Sequence, residues 1–115
     1  MHEAAIAEEL ISVAQTELTR SGAHGRVLRL ELTVGRLSGV SPEALRFAFE
    51  RLAPGTVVAG ACLEIAEPKA LCRCRPCGKQ TGTDDVFGGC PACGSADVTI
   101  EGGRELLLQS IEVED

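Results

Sequence analysis

Cys74-Arg75-Pro76-Cys77-Gly78 and Cys90-Pro91-Ala92-Cys93-Gly94 decide how this chain is read, and the two cysteine pairs are separated by the twelve residues 78 to 89. Two thiolates with two residues between them reach one ion at about 2.3 Å if the backbone turns tightly, and two such turns close a tetrahedron. Each second cysteine is followed by a glycine, where a knuckle needs a positive φ that glycine adopts at little cost. The spacing predicts one structural zinc on Cys74, Cys77, Cys90 and Cys93, with no coordination position left open for a substrate water. A pair of disulfides, or free buried thiols, is the competing reading. Cys72 is a competing ligand for Cys74. Cys74 is preferred because the spacing from it to Gly78 then repeats from Cys90 to Gly94, which leaves Cys72 a spare thiol.

At 115 residues the chain has material for one modest core, and a second unit needs something besides hydrophobic burial to hold it. Zinc meets that need, since structural zinc in small peptides binds with roughly 10–16 kcal/mol. The segment 69–102 is therefore expected to form an inserted zinc-binding domain, with 1–68 and 103–115 forming an α/β domain around it. No signal peptide and no apolar run near eighteen residues is read, and six cysteines whose best pairing is a metal site point to a reducing cytoplasm. A net charge of −6, with three Phe and neither Trp nor Tyr, removes the basic surface and stacking platforms of a nucleic-acid binder. Lys69, Arg73, Arg75 and Lys79 make a small basic cluster near the first knuckle, the usual reading of which is a solvated face.

The order of the remaining elements predicts an α+β fold, a three-stranded sheet with two helices on one face. From Ala4 to about Arg20 the apolar residues Ile6, Ala7, Leu10, Ile11, Val13, Ala14 and Leu18 recur at helical intervals, and Ser21-Gly22 ends the helix. Arg26 to Val34 alternates as a half-buried strand, with Leu28, Leu30, Leu32 and Val34 on one face. Ser41-Pro42-Glu43 carries a hydroxyl cap, a first-turn proline and a carboxylate at the positive end of the dipole. The helix it starts has Leu45, Ala48, Phe49 and Leu52 as its apolar stripe, and both Phe47 and Phe49 are assigned to the core. Residues 61 to 66 alternate as a second strand, in which Cys62 is read as a small hydrophobe. Glu105 to Val113 is a third, with Leu106-Leu107-Leu108 too apolar for a solvated face.

Met1-His2-Glu3 has its own chemistry. The Met1 amine, the His2 backbone nitrogen and the His2 imidazole Nδ1 close adjacent five- and six-membered chelate rings on one ion, and the Glu3 backbone nitrogen adds a fourth donor. Such a nitrogen set suits square-planar Ni(II) or Cu(II), whereas zinc does not readily displace amide protons at neutral pH. A histidine at position 2 is by itself usually a solvated terminus, and so is His24 in its glycine-flanked turn.

Three separated features, in order, carry a family resemblance: Met1-His2-Glu3 opening a helix; Val34-Gly35 with Leu37-Ser38-Gly39-Val40 and Pro42 through Glu50; and the two cysteine pairs. Together they resemble the nickel metallochaperones of NiFe-hydrogenase maturation, the HypA/HybF family, over the whole chain. The resemblance implies a labile nickel site centred on His2 with the Met1 amine and Glu3, and a structural zinc at Cys74, Cys77, Cys90 and Cys93. It also implies delivery of nickel to the hydrogenase large subunit with a maturation GTPase, and in some relatives service to urease maturation proteins. Many members carry an acidic residue where this chain has Arg36.

The expectation is thus a cytoplasmic metal-delivery protein and not an enzyme, a monomer or weak homodimer, with no nucleic acid or membrane as partner. A zinc-ribbon module that binds protein or nucleic acid without nickel transfer is the alternative. A histidine-carboxylate hydrolase is a weaker one, because His2 and His24 are the only histidines and no triad or open zinc site follows from them.

Overall fold

The computed structural model describes residues 2–114. In chain order the elements are α1 (Glu3–Ser21), β1 (Val27–Val34), α2 (Pro42–Leu52), β2 (Cys62–Ala66), β3 (Ala70–Cys74), β4 (Gln80–Thr83), β5 (Val98–Glu101) and β6 (Leu106–Val113). They gather into two compact units. The first holds Met1–Thr33, Val40–Ala66 and Leu107–Asp115, and the second holds Val34–Gly39 and Glu67–Leu106.

The first unit is the α+β layer. Its sheet has the order β2-β1-β6. β1 and β2 are parallel, with Arg29 opposite Cys62 and Thr33 opposite Ala66, and a parallel pair needs a crossover, which α2 supplies. The Glu114 N–H donates to the Arg26 carbonyl at 2.9 Å and the Gln109 amide to the Thr33 hydroxyl at 3.2 Å, so β6 runs antiparallel to β1. Ala7, Leu10, Ala14 and Leu18 of α1, Leu45 and Phe49 of α2, and Leu30, Leu32 and Leu63 of the sheet are buried together as the core. α1 ends as its sequence predicts, on Gly22 at φ 73° with its N–H bonded to the Thr19 carbonyl. Ser41 caps α2 through its hydroxyl, which accepts from the Ala44 N–H at 3.2 Å.

Four expectations about burial are overturned here. Phe47 is 61 % exposed, because Leu45 and Phe49 face the sheet and a residue midway between them lies round the other side of the helix. Cys62 is exposed, because β2 is an edge strand that turns Leu63 inward and its neighbours outward. Leu106 and Leu107 are 39 % and 53 % exposed, since β6 is the opposite edge and nothing among the described residues pairs with its outer side. Val27, expected on the outer face, is buried at the start of β1, where its N–H also bonds the Val57 carbonyl at 3.0 Å.

On the sheet face away from the core, Arg29 reaches Glu31 at 3.2 Å, Glu64 at 3.3 Å and Glu112 at 3.6 Å, a clasp across all three strands. Glu64 first, then Glu112, hold the guanidinium above its ordinary pKa. Exposed ion pairs are each worth ~0.2–1 kcal/mol, and removing the cation leaves three carboxylates facing one another. Arg29→Ala is accordingly expected to lower the urea midpoint of unfolding, with the difference shrinking as salt is added.

The second unit is built on β3, which pairs antiparallel with β4 on one side and β5 on the other. Apart from Val34, which ends β1, its buried side chains are small: Ala70, Cys72, Thr83, Cys74 and Cys90. The segment Val34–Gly39 joins it through backbone bonds from Gly35 to Glu105 (2.7 Å) and from Leu37 to Gly103 (2.6 Å). Arg36 is spent within this unit, pairing with Asp84 at 3.2 Å and donating through Nε to the Glu67 carbonyl at 3.2 Å.

Candidate metal centres

Both knuckles close as their glycines require. The Gly78 N–H bonds the Cys74 carbonyl at 3.0 Å and the Gly94 N–H bonds the Cys90 carbonyl at 2.8 Å, with the two glycines at φ 73° and 79°. Cys74 ends β3, so the first turn hangs from the sheet, while the second sits between the loop after β4 and the start of β5. The four sulfurs of Cys74, Cys77, Cys90 and Cys93 lie within 4.8 Å of one another. Cys74 and Cys93 are 3.5 Å apart and Cys77 and Cys90 3.7 Å apart. A tetrahedral ion holding sulfur at about 2.3 Å sets its ligands about 3.8 Å apart, whereas a disulfide draws two sulfurs to about 2.0 Å. The spacing is that of an ion's cage, and all six cysteines are free thiols.

Electrostatics within the cluster also call for a cation. The Cys93 backbone N–H, with help from that of Ala92 and against the effect of burial, lowers the Cys90 thiol to about 6. The Cys77 N–H acts the same way on Cys74, but burial and the neighbouring thiols outweigh it and push that thiol up to about 12. The knuckle amides therefore favour a thiolate at Cys90, and four thiolates set this close together would need a positive ion between them. Zinc, when bound, would supply that charge and cross-link the two turns through these four side chains. Cys72 is not in the cluster. It is fully buried on β3, paired in register with Thr81 and Ile100, and burial first, then the thiols of Cys90, Cys77 and Cys93, raises its pKa.

At the other candidate centre, His2 is the residue before α1, at φ −93° and ψ 89°. Its side chain makes no capping bond and is exposed. Its carbonyl accepts the first helical bond from the Ile6 N–H at 3.2 Å. The Met1 amine, expected as a nickel donor, lies outside the described residues. Glu3 begins the helix, where the first backbone N–H groups have no intrahelical partner. Its carboxylate accepts from the Ser41 N–H at 3.0 Å, and that bond before all else lowers its pKa. The start of α1 is thus tied to the cap of α2, a long-range contact that local pattern had no means to signal. His24 is exposed, and the cysteine tetrad is the one metal-competent cluster of His, Cys, Asp or Glu among the described residues.

A mixed sheet with two helices, together with a second unit that carries a four-cysteine metal-competent cluster, defines an α+β metal-binding protein. The family model for "Hydrogenase/urease nickel incorporation, metallochaperone, hypA" matches residues 1–113. The hydrogenase maturation factor HypA of Chlorobaculum tepidum is 40 % identical over 114 residues, covering 99 % of this chain and 100 % of that protein. Its counterpart from Chlorobium luteolum is 38 % identical over 115 residues, covering 100 % and 97 %. Among solved structures, the Ni metallochaperone HypA from Helicobacter pylori superposes with a TM-score of 0.63 at 26 % identity, covering 98 % of this chain and 97 % of that one. A second solution structure of a HypA protein gives 0.67 at 27 %, covering 99 % and 97 %. The chain belongs to the HypA family of nickel metallochaperones for hydrogenase maturation.

Proposed function

We propose that this protein carries Ni(II) at its N terminus, on the Met1 amine, His2 and the Glu3 backbone nitrogen, and hands it to the large subunit of a NiFe hydrogenase together with a maturation GTPase. In this reading the chain is not an enzyme. It works in the cytoplasm as a monomer or weak homodimer and, as in some relatives, serves urease maturation too. Residues 1–68 and 103–115 form the nickel-binding domain, and 69–102 hold a structural zinc on Cys74, Cys77, Cys90 and Cys93. The observation that carries the reading is the match of the nickel-incorporation family along residues 1–113, and the exposed, uncapped imidazole of His2 supports it. No helix among the described residues is long and apolar enough to cross a membrane. A nucleic-acid module is disfavoured because Arg73 and Arg75 of the ribbon are paired with Glu101 and Asp97.

Nickel-63 loaded on the purified protein should pass to the precursor of the large subunit on mixing. Retention of the label on the chaperone, with the GTPase and its nucleotide present, would overturn delivery. Glu3→Ala should leave zinc content and helicity unchanged but weaken Ni(II) binding roughly tenfold or more, the effect of losing one hydrogen bond to a charged group that orders the terminus. Calorimetry of the zinc-loaded variant measures it.

A further inference from the structure

Between α1 and α2 runs an open groove of about 290 Å³, lined by Ala4, Glu8, Phe47, Ala48, Arg51 and Leu52. The two alanines are its small side chains, and Phe47 and Leu52, 61 % and 37 % exposed, its large apolar ones. Neither large side chain is needed for the core, which α2 serves with Leu45 and Phe49. Clustered exposed apolar surface on a small protein marks an interaction site. The Arg51 guanidinium carbon lies 5.5 Å from the Phe47 ring centroid. Glu8 has no cation paired with it among the described residues.

We propose that this groove docks the nickel-accepting protein, which seats an apolar side chain between Phe47 and Leu52 and sets a lysine or arginine against Glu8. The proposal rests on the reading of the protein as a nickel donor. Two observations select this occupant. Ala4 lies two residues from His2, so a partner seated in the groove lies within about one helical turn, some 5 Å, of that residue. Charge selects as well. The first unit carries eleven acidic and five basic residues and the second six of each, so the whole net charge of −6 belongs to the unit that bears the groove. A second copy would bring the same acidic surface and be repelled, whereas a basic-flanked apolar segment is attracted and steered in. An aromatic side chain at the centre of such a patch is the usual anchor of a protein interface.

The test compares Phe47→Asp, Glu8→Lys and His2→Ala in the zinc-loaded full chain, reading Ni(II) affinity by calorimetry and binding of the purified large-subunit precursor, and separately of the GTPase, by interferometry at two salt concentrations. Phe47→Asp is expected to keep nickel affinity within about twofold and to weaken the complex ~30-fold or more, the effect of losing an interface anchor. Glu8→Lys should weaken it about fivefold and flatten its salt dependence, while His2→Ala loses nickel but still docks. If Phe47→Asp reduces zinc content, Leu52→Lys takes its place. Native-like complexes from both groove variants would overturn the groove but leave nickel delivery standing. Loss of binding to the GTPase alone would overturn the choice of partner. A native protein that binds neither nickel nor the precursor would overturn both.

Discussion

Cys90→Ala is expected to drop bound zinc from one ion per chain to none, and the same holds for alanine at Cys74, Cys77 or Cys93. Each contributes one corner of a cluster whose sulfurs all lie within 4.8 Å, so removing one opens a site that was closed. The loss is large because the second unit has so little else. Within Glu67–Leu106 its buried side chains are Ala70, Cys72, Cys74, Thr83 and Cys90, too small to offset the backbone entropy of ordering a three-stranded sheet, whereas structural zinc brings roughly 10–16 kcal/mol of folding energy. The ribbon from β3 to β5 should therefore disorder. The first unit, whose core rests on Leu30, Leu45 and Phe49, each at most 2 % exposed, should keep its helices. Elemental analysis and hydrogen exchange on the single variants and on chelated native protein measure both effects. Cys62→Ala, at an exposed position on the other unit, should retain its zinc. Full zinc in Cys90→Ala would refute the ligand set, and loss of protection everywhere at once would show that the two units fold as one.

His2→Ala is expected to abolish measurable Ni(II) binding while leaving zinc unchanged, since the two proposed sites share no ligand. The imidazole closes the six-membered chelate ring, and without it the terminal amine and backbone nitrogens lack the donor that anchors the ion. Acetylating the N terminus should do as much harm by removing the amine. One extra residue before Met1 should also impair delivery, because it moves the histidine to the third position and rebuilds the chelate as a tighter motif that releases nickel poorly. Copper should bind at least as strongly as nickel in isolation, as the order of divalent affinities requires, so selection for nickel falls to availability and to docking. Calorimetry of native, His2→Ala and N-acetylated protein separates these outcomes. Native affinity in either altered protein would rule out the N-terminal site.

Short-range chemistry was legible in the amino-acid sequence by itself. The cysteine-glycine spacing determined both knuckles, because each closes on a carbonyl four residues back. Alternation from Arg26 to Val34 determined β1, and Ser41-Pro42 determined where α2 starts, because neighbours along the chain settle those choices. Met1-His2-Glu3, the loop after β1 and the cysteine pairs together pointed to the family. Tertiary structure alone decided what depends on partners far away in sequence. The order β2-β1-β6 made edges of β2 and β6, which exposed Cys62, Leu106 and Leu107 despite their apolar character. The sheet took Leu45 and Phe49 from α2 and left Phe47 outside. Folding also sealed Cys72 in the sheet, away from the cluster that the spacing had already given to Cys74, and it tied Glu3 to Ser41 across thirty-eight positions. A local pattern specifies which residues are apolar, charged or turn-forming. Which of them meet is set by strand order and helix packing, where burial of one face is traded against exposure of another.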